Sequence, residues 1–345
     1  MPPTPTATRT QTPTGTLTAT PTRLPTSTPD PFAGFTVSDL TARAYGSGAL
    51  QAVETLGITP AFTRTLVTYP SDGLTLYGFV NEPKGQGPFP VIIVVHGYVN
   101  PATYRTLTYT TRYADSLAEA GFLTIHPDLR GHGASDGGPN PFRIGYAVDV
   151  LNLIALVNAQ AGQPGPLAQA APGALGLWGH SMGGGITMRA ITVSSAVRGA
   201  VLYGSMSGDE RANLEQMVAW RGGERGLPEL ETPQSDLERI SPIEHLERIT
   251  AAVSIHHGDA DPTVPPEWSA DLCQRLQTLG KTAECFTYPG QPHILTGEAD
   301  QQFITRTVEF FQRTINGGPT GSQGIARTED GASPGPARPD RRSQE

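Results

Sequence analysis

The sequence has few charged residues and no long apolar run, and each shortage excludes a class of protein. Charged side chains make up 16% of the 345 residues, and 24 Lys and Arg against 32 Asp and Glu give a net charge of −8. Because no dense basic stripe is present to neutralise phosphates, we expect no nucleic acid partner. The longest obvious apolar run, residues 91–95, is far shorter than the roughly 18 residues that cross a bilayer. It predicts a strand.

Cysteine is also scarce. Cys273 and Cys285 are too few for a disulfide scaffold, and their spacing is not that of a metal site. We expect two ordinary buried thiols, and the alternative is a bridge between a helix and the next strand in an oxidising compartment. The three glycines at 183–185 follow a serine turn and do not form a dinucleotide fingerprint, so no cofactor or metal is expected.

What the sequence does contain begins with a low-complexity segment. Twelve Thr and seven Pro fill the first 30 positions, so residues 1–31 have almost nothing apolar to bury and are predicted to form a disordered linker. Residues 317–345 read in the same way, which leaves one folded domain at 32–316. Thr/Pro-rich stalks are typical of proteins held away from a cell envelope. We therefore expect an extracytoplasmic, envelope-tethered or secreted protein with an export signal or anchor upstream of Met1; the alternative is a cytoplasmic protein with a low-complexity tail.

The hydrophobic pattern predicts an α/β fold. Residues 37–56 read as a short amphipathic helical segment, and the Asp72-Gly73 turn between two β-rich runs predicts a hairpin. Strands are then predicted at 91–95, 122–126, 174–178, 197–203, 252–256 and 283–288, with helices at 106–120, 144–159, 182–193, 266–279 and 298–315. This alternation predicts a mostly parallel sheet with helices on both faces. The break in alternation at 206–250 predicts a small helical cap over the site.

A nucleophile motif lies between a predicted strand and a predicted helix. Gly179-His180-Ser181-Met182-Gly183 matches G-x-S-x-G, and this strand-turn-helix setting is the one that a nucleophile elbow requires. Glycine is needed at 179 and 183 because a Cβ at either position would collide with neighbouring backbone. Ser181 is therefore the candidate nucleophile, at the start of a helix whose dipole favours developing negative charge.

The partners of a catalytic serine are predicted in later loops. His293 lies after the last strand and before the last helix, so it is the candidate general base. Two carboxylates follow the preceding strand, and we choose Asp261 to orient the histidine and Asp259 to hold the turn. The chain order Ser181, Asp261, His293 is that of the α/β-hydrolase fold. The backbone N–H groups of Met182 and Tyr98 are the candidate oxyanion donors.

Four segments together resemble a known family. They are the elbow at 179–184, His-Gly-Tyr at 96–98, Pro-Asp-Leu-Arg-Gly-His-Gly at 127–133 and His-Gly-Asp-Ala-Asp-Pro-Thr-Val-Pro at 257–265. They resemble α/β hydrolases, and most of all the prolyl oligopeptidase catalytic domain and its relatives among the dienelactone hydrolases and esterases. The resemblance covers about residues 65–315 and implies a Ser181-Asp261-His293 triad with Tyr98 and Met182 as oxyanion donors.

The sequence departs from the peptidase pattern in three respects. Tyr98 follows His-Gly where a second glycine is common, Met182 replaces the tyrosine after the serine, and too few residues precede the domain to build a β-propeller. These departures favour a carboxylic ester hydrolase with an acyl-enzyme intermediate. The alternatives are a serine peptidase for short peptides, with Glu229, Glu231 or Glu238 holding the amino terminus, and a binding module without catalysis.

Overall fold

The computed structural model of the protein describes residues 1, 30, 32–223 and 228–315. The predicted linker at 1–31 lies outside the described residues apart from Met1 and Asp30. The predicted tail at 317–345 lies outside them entirely.

Nine strands in the described residues form one mixed sheet. They are β1 (Gln51–Ile58), β2 (Phe62–Ser71), β3 (Leu74–Pro83), β4 (Phe89–Val95), β5 (Leu123–Pro127), β6 (Ala170–His180), β7 (Gly199–Tyr203), β8 (Ala252–Gly258) and β9 (Ala283–Tyr288). Their spatial order is β1-β2-β3-β5-β4-β6-β7-β8-β9. The pairs from β1 to β5 are antiparallel, and every pair from β5 through β4 to β9 is parallel. The predicted mostly parallel sheet is confirmed.

The described residues contain eight α-helices. They are α1 (Val37–Ala42), α2 (Thr111–Glu119), α3 (Ile144–Gln160), α4 (Met182–Val193), α5 (Glu210–Trp220), α6 (Gln234–Ile240), α7 (Pro266–Thr278) and α8 (Gly297–Ile315). Short 3₁₀ helices lie at Pro141–Arg143, Pro228–Glu231 and Pro242–Arg248. Helices α5 and α6 and two of the 3₁₀ helices occupy the segment between β7 and β8 where the sequence predicts a cap.

Strand β4 explains why helices lie on both faces. Its residues from 91 to 95 are fully buried, and their side chains alternate between the two faces of the sheet. Val91, Ile93 and Val95 belong to the core cluster that includes residues of α3, α4 and α7. Ile92 and Val94 belong to the cluster on the other face, which includes residues of α2 and α8. A strand buried on both faces must be apolar throughout, which is why it reads as a continuous run.

The predicted hairpin is confirmed as β2 and β3. Its two turn residues, Asp72 and Gly73, have φ angles of 50° and 83°. Positive φ at both central positions is the requirement of the type I′ turn, and Asp-Gly satisfies it at low steric cost.

Two expectations are wrong. The helix predicted at 37–56 ends at Ala42, and residues from Gln51 form the edge strand β1 instead. Cys273 on α7 and Cys285 on β9 are joined in a disulfide with a Cα–Cα distance of 6.4 Å, so they are not two free thiols. Cys285 is exposed and Cys273 is half-buried, which also contradicts the expected burial.

Helix α3 is a core helix. Residues Pro141–Gln160 are long and apolar enough to cross a membrane by length and composition, with a mean hydropathy of 1.4. In the fold, however, 72% of the 18-residue stretch with this hydropathy is buried. Helix α3 packs against α4 and β2.

Candidate active site

Ser181 occupies a strained turn between β6 and α4. Its φ of 57° and ψ of −120° lie in a region that residues with a side chain rarely adopt. A Cβ on Gly183 would lie 2.2 Å from the Val95 carbonyl oxygen, and a Cβ on Gly179 would lie 2.2 Å from the Gly183 carbonyl oxygen. The steric reason for both glycines is confirmed. The turn brings the N-terminus of α4 against the end of β4, with Ser181 at the junction.

His293 and Asp261 form a close pair in the loops that follow β9 and β8. His293 Nδ1 lies 2.6 Å from Asp261 Oδ2, and the carboxylate is fully buried while the ring is 16% exposed. Because a carboxylate only accepts hydrogen bonds, Nδ1 carries the proton, which leaves Nε2 free to take one. The ring also packs on His180, with ring centroids 4.6 Å apart.

Asp261 is anchored by three further donors. The backbone N–H groups of Thr263 and Val264 donate to Oδ1 at 2.7 and 3.0 Å, and His257 Nε2 donates to Oδ2 at 3.0 Å. Burial acts to raise the pKa of the Asp261 carboxyl. The hydrogen bonds from His257, His293 and Val264 outweigh burial and hold that pKa well below its ordinary value. The carboxylate is therefore ionised and fixed in direction.

Asp259 has the different role that the sequence suggests. Its Oδ1 accepts a hydrogen bond from Gly290 N–H at 2.6 Å, so it joins the loop after β8 to the loop after β9. The contact with His293 belongs to Asp261.

A hydrogen-bonded chain that sequence reasoning missed joins three loops of the site. Gly97 N–H donates to the Tyr109 hydroxyl at 3.1 Å, and that hydroxyl donates to His180 Nδ1 at 2.7 Å. His180 Nε2 then donates to the carbonyl oxygen of His293 at 3.1 Å. Burial lowers the pKa of His180 to about 3, so this ring is neutral and can both accept and donate. Tyr109 lies in a polar loop with no sequence signal of its own.

The candidate oxyanion donors, Met182 and Tyr98, both belong to residues that line the pocket with Ser181. Met182 is the first residue of α4, where an N–H has no partner within the helix. Neither its N–H nor that of Tyr98 donates to a protein acceptor in the described part of the chain. A Cβ on Gly97 would lie 2.4 Å from the Tyr109 hydroxyl and 3.1 Å from Ser181 Cβ. Close approach of this loop to Tyr109, and less tightly to Ser181, is what favours glycine there.

Ser181 and His293 line one pocket of about 450 Å³. Its remaining wall is mostly apolar and includes Met182, Met206, Met217, Trp220 and Ile294. Met217 and Trp220 come from α5, and the Trp220 indole N–H donates to the Thr263 carbonyl oxygen at 2.9 Å. The segment predicted as a cap therefore forms part of the pocket wall beside the Asp261 loop. Ser181 and His293 share no direct hydrogen bond in the described residues, and such contacts often tighten only when substrate binds.

The Asp128 loop is held by buried hydrogen bonds and has a structural role. Asp128 is fully buried and accepts hydrogen bonds from the Tyr104 hydroxyl at 2.6 Å and from Thr106 Oγ1 at 2.7 Å. Glu229, Glu231 and Glu238 do not line the pocket. In the described residues, no group of three or more His, Cys, Asp or Glu side chains is placed to hold a metal ion.

Comparisons with known proteins relate the chain to hydrolases. A model of the prolyl oligopeptidase family matches residues 166–318, and a model of the alpha/beta hydrolase fold matches residues 90–231. The chain is 27% identical over 255 residues to the Escherichia coli K12 esterase YjfP, covering 68% of this chain and 93% of that one. It is 25% identical over 226 residues to a probable 2-oxo-3-(5-oxofuran-2-ylidene)propanoate lactonase of Bradyrhizobium. That match covers 65% of this chain and 80% of the lactonase.

A solved structure shares the fold. The acylaminoacyl peptidase of Pyrococcus horikoshii superposes with a TM-score of 0.62 at 20% identity, over 76% of this chain and 43% of that one. The predicted α/β-hydrolase fold and the predicted resemblance to the prolyl oligopeptidase catalytic domain are confirmed.

Buried histidines make the fold sensitive to acid. Burial lowers the pKa of His126, His180 and His256 to about 3, from 6.5 when exposed. Between these two values the unfolded chain binds protons that the native protein excludes. The free energy of unfolding should therefore fall as the pH drops below about 6.5, by up to about 1.4 kcal/mol per pH unit for each histidine.

Urea denaturation between pH 8 and pH 5 measures this dependence. We expect little contribution from these groups above pH 7 and a steep loss of stability below pH 6. A His256→Gln variant serves as the control. Because it lacks one of these histidines, its free energy of unfolding should change less steeply with pH, by up to about 1.4 kcal/mol per pH unit. A free energy of unfolding that stays constant from pH 6.5 to pH 5 would contradict the assignment.

Proposed function

Because this chain is an α/β hydrolase of the serine hydrolase class, of the esterase or peptidase kind, we propose that it cleaves carboxylic esters through an acyl-enzyme. One observation carries the proposal. A strained serine at a helix N-terminus shares a pocket with a histidine whose Nδ1 is fixed 2.6 Å from a buried carboxylate. A nucleophile, a base and an orienting acid in this arrangement are the three groups that Ser-His-Asp catalysis requires.

In the first half-reaction, Ser181 Oγ attacks the ester carbonyl carbon while His293 Nε2 takes the hydroxyl proton. Asp261 stabilises the imidazolium that forms, and the N–H groups of Met182 and Tyr98 donate to the oxyanion of the tetrahedral intermediate. The intermediate collapses when the bond between carbon and the leaving oxygen breaks. His293 gives its proton to that oxygen, and the alcohol departs. The acyl group remains bound to Ser181 Oγ as an ester.

The second half-reaction repeats these steps with water. His293 Nε2 takes a proton from a water molecule as the water oxygen attacks the acyl carbon. The same two N–H groups donate to the second oxyanion. Collapse returns the proton to Ser181 Oγ and releases the carboxylic acid. The ionised Asp261, kept so by its hydrogen bonds, allows His293 to alternate between neutral and charged forms.

The pocket lining favours esters over peptides. A short peptide would present a charged amino terminus, and no pocket-lining residue in the described part of the chain is a carboxylate. The three glutamates considered for that role lie elsewhere. Trp220, Ile294 and Tyr98 are 43%, 41% and 68% exposed, so the mouth offers aromatic and aliphatic surface to a substrate. The relatives named as an esterase and a lactonase support the same choice, since a lactone is a cyclic ester.

The protein's proposed location is outside the cytoplasm. The Cys273–Cys285 disulfide is partly exposed, and cytosolic reductants keep such thiols reduced. The Thr/Pro-rich composition of the first 30 residues supports the same location.

The activity test compares p-nitrophenyl acyl esters with aminoacyl and prolyl p-nitroanilides. We expect the protein to turn over the esters and not the anilides, and Ser181→Ala to lower kcat by about 10³-fold or more. Comparable turnover of the anilides would establish the peptidase alternative. Ester turnover that survives Ser181→Ala would remove Ser181 from the mechanism.

A matched pair of variants tests the orienting carboxylate. Asp261→Asn should lower kcat by about 10³-fold to 10⁴-fold, because the amide cannot hold the His293 tautomer or stabilise the imidazolium. Asp259→Asn makes the same chemical change two residues away and should retain most of the activity. Equal losses in the two variants, measured on folded protein, would contradict the assignment of Asp261.

Thiol trapping in the source cells tests the location. Alkylation before reduction should label neither cysteine, and alkylation after reduction should label both, as read by intact mass. A Cys273→Ser/Cys285→Ser variant sets the unlabelled baseline. Two freely alkylated thiols in native protein would place it in a reducing compartment.

A further inference from the structure

Arg143 introduces a positive charge into an otherwise apolar pocket. Among the described residues that line the pocket with Ser181, it is the one member of the Lys, Arg, Asp and Glu types. We propose that Arg143 binds a carboxylate of the substrate, so that the preferred substrates are esters with a second, anionic carboxylate group. This inference rests on the proposed ester hydrolysis and names its substrate class.

The backbone before α3 is strained at this position. Phe142 and Arg143 have φ angles of 48° and 62°, which non-glycine residues seldom adopt. The described residues contain two other cases: Asp72, whose turn requires positive φ, and Ser181. Residues held in such conformations cluster at functional sites, where the surrounding structure enforces them. Three of the four strained residues are therefore at the site: Ser181 itself, and Phe142 and Arg143 in the segment that brings Arg143 to the same pocket.

The charges around Arg143 do not cancel. Glu210 lies between two arginines, with Oε2 2.5 Å from Arg143 Nη2 and Oε1 2.5 Å from Arg189 Nη2. Arg189 is 4% exposed and Arg143 is 20% exposed. One carboxylate thus serves two guanidinium groups, which stay protonated in proteins, and the cluster has a net charge of +1. Because Arg189 is enclosed, the excess charge is accessible through Arg143.

Arg143 also keeps hydrogen-bond donors available. A guanidinium has five N–H donors. In the described residues, Arg143 donates to Glu210 and to the Met217 sulfur at 3.5 Å, a weak acceptor. The remaining donors could hold a carboxylate, and in an apolar pocket such a charge-assisted contact is stronger than in water. A single excess charge matches a carboxylate better than a doubly charged phosphate.

A purely structural role makes a different prediction. If Arg143 only ties Glu210 on α5 to the start of α3, its loss should affect every substrate equally. If it binds a carboxylate, the loss should fall on anionic substrates alone. The discriminating quantity is therefore the ratio of kcat/KM for an anionic ester to that for a neutral ester of the same size.

Two matched substrate pairs measure that ratio. The mono-p-nitrophenyl ester of adipate beside p-nitrophenyl hexanoate places the charge on the acyl side. Acetoxybenzoate beside acetoxybenzamide, both para-substituted, places it on the alcohol side. For at least one pair, we expect wild type to favour the anionic ester by about tenfold or more in kcat/KM, the effect of one charge-assisted hydrogen bond.

The variants separate charge from structure. Arg143→Met should abolish the preference, chiefly through a higher KM for the anionic ester, so that the ratio of kcat/KM within each pair falls to about 1. Arg143→Lys should retain part of the preference. Arg221→Met removes the same charge from the exposed end of α5 without altering the pocket lining and should behave as wild type. Equal turnover of both members of both pairs by wild type would overturn the inference while leaving ester hydrolysis intact.

Binding provides a test that does not depend on turnover. Calorimetric titration with 4-phenylbutyrate and its neutral amide should show tighter binding of the anion to wild type, with a loss of about tenfold in Arg143→Met. If no ester is turned over but this difference is found, the proposed function fails and the carboxylate site stands. Equal binding of the anion and the amide overturns the site in either case.

Discussion

The close packing of the α4 N-terminus on the ends of β4 and β6 is the constraint on which the rest of the site depends. The helix backbone at Gly183 lies so near the Val95 carbonyl that no side chain fits between them. To enter the helix at that position, the chain must turn sharply at Ser181 and accept a positive φ. The turn lifts the hydroxyl above the strand ends and leaves the Met182 N–H without a helical partner. The proposed nucleophile and one proposed oxyanion donor thus result from one packing requirement.

The parallel sheet supplies the other groups at the same edge. Loops at the carboxyl ends of β4, β6, β8 and β9 meet there, and buried polar contacts fix their relative positions. Asp261 receives donors from its own loop, from the end of β8 and from His293. Tyr109 and His180 connect the loop after β4 to the backbone of the His293 loop. Such a network holds His293 in place independently of substrate.

The sequence predicts those features that depend on local pattern. A strand buried on both faces must be apolar, and a nucleophile elbow needs small residues at fixed positions, so β4 and the turn at Ser181 can be recognised directly. Strand β1 could not be recognised. All of its residues except Gly57 are exposed, so it has no alternation of apolar and polar positions, and it is a strand because it pairs with the edge of β2.

Other features depend on contacts between distant segments. The disulfide requires α7 and β9 to bring two thiols together, which spacing alone does not determine. Arg143 and Tyr109 belong to no local motif. Arg143 reaches the site through its contact with Glu210, which lies 67 residues later in the chain. Tyr109 reaches it through its contact with His180, which lies 71 residues later. The choice between Asp259 and Asp261 depends on side-chain directions in one short loop.

We propose that the strained turn makes Ser181 a reactive nucleophile. Labelling the folded protein with a fluorophosphonate and mapping the adduct by peptide mass spectrometry tests this claim most directly. We expect a single adduct on Ser181, formed faster in wild type than in a His293→Ala variant. An unlabelled protein, or an adduct on another residue, would contradict it.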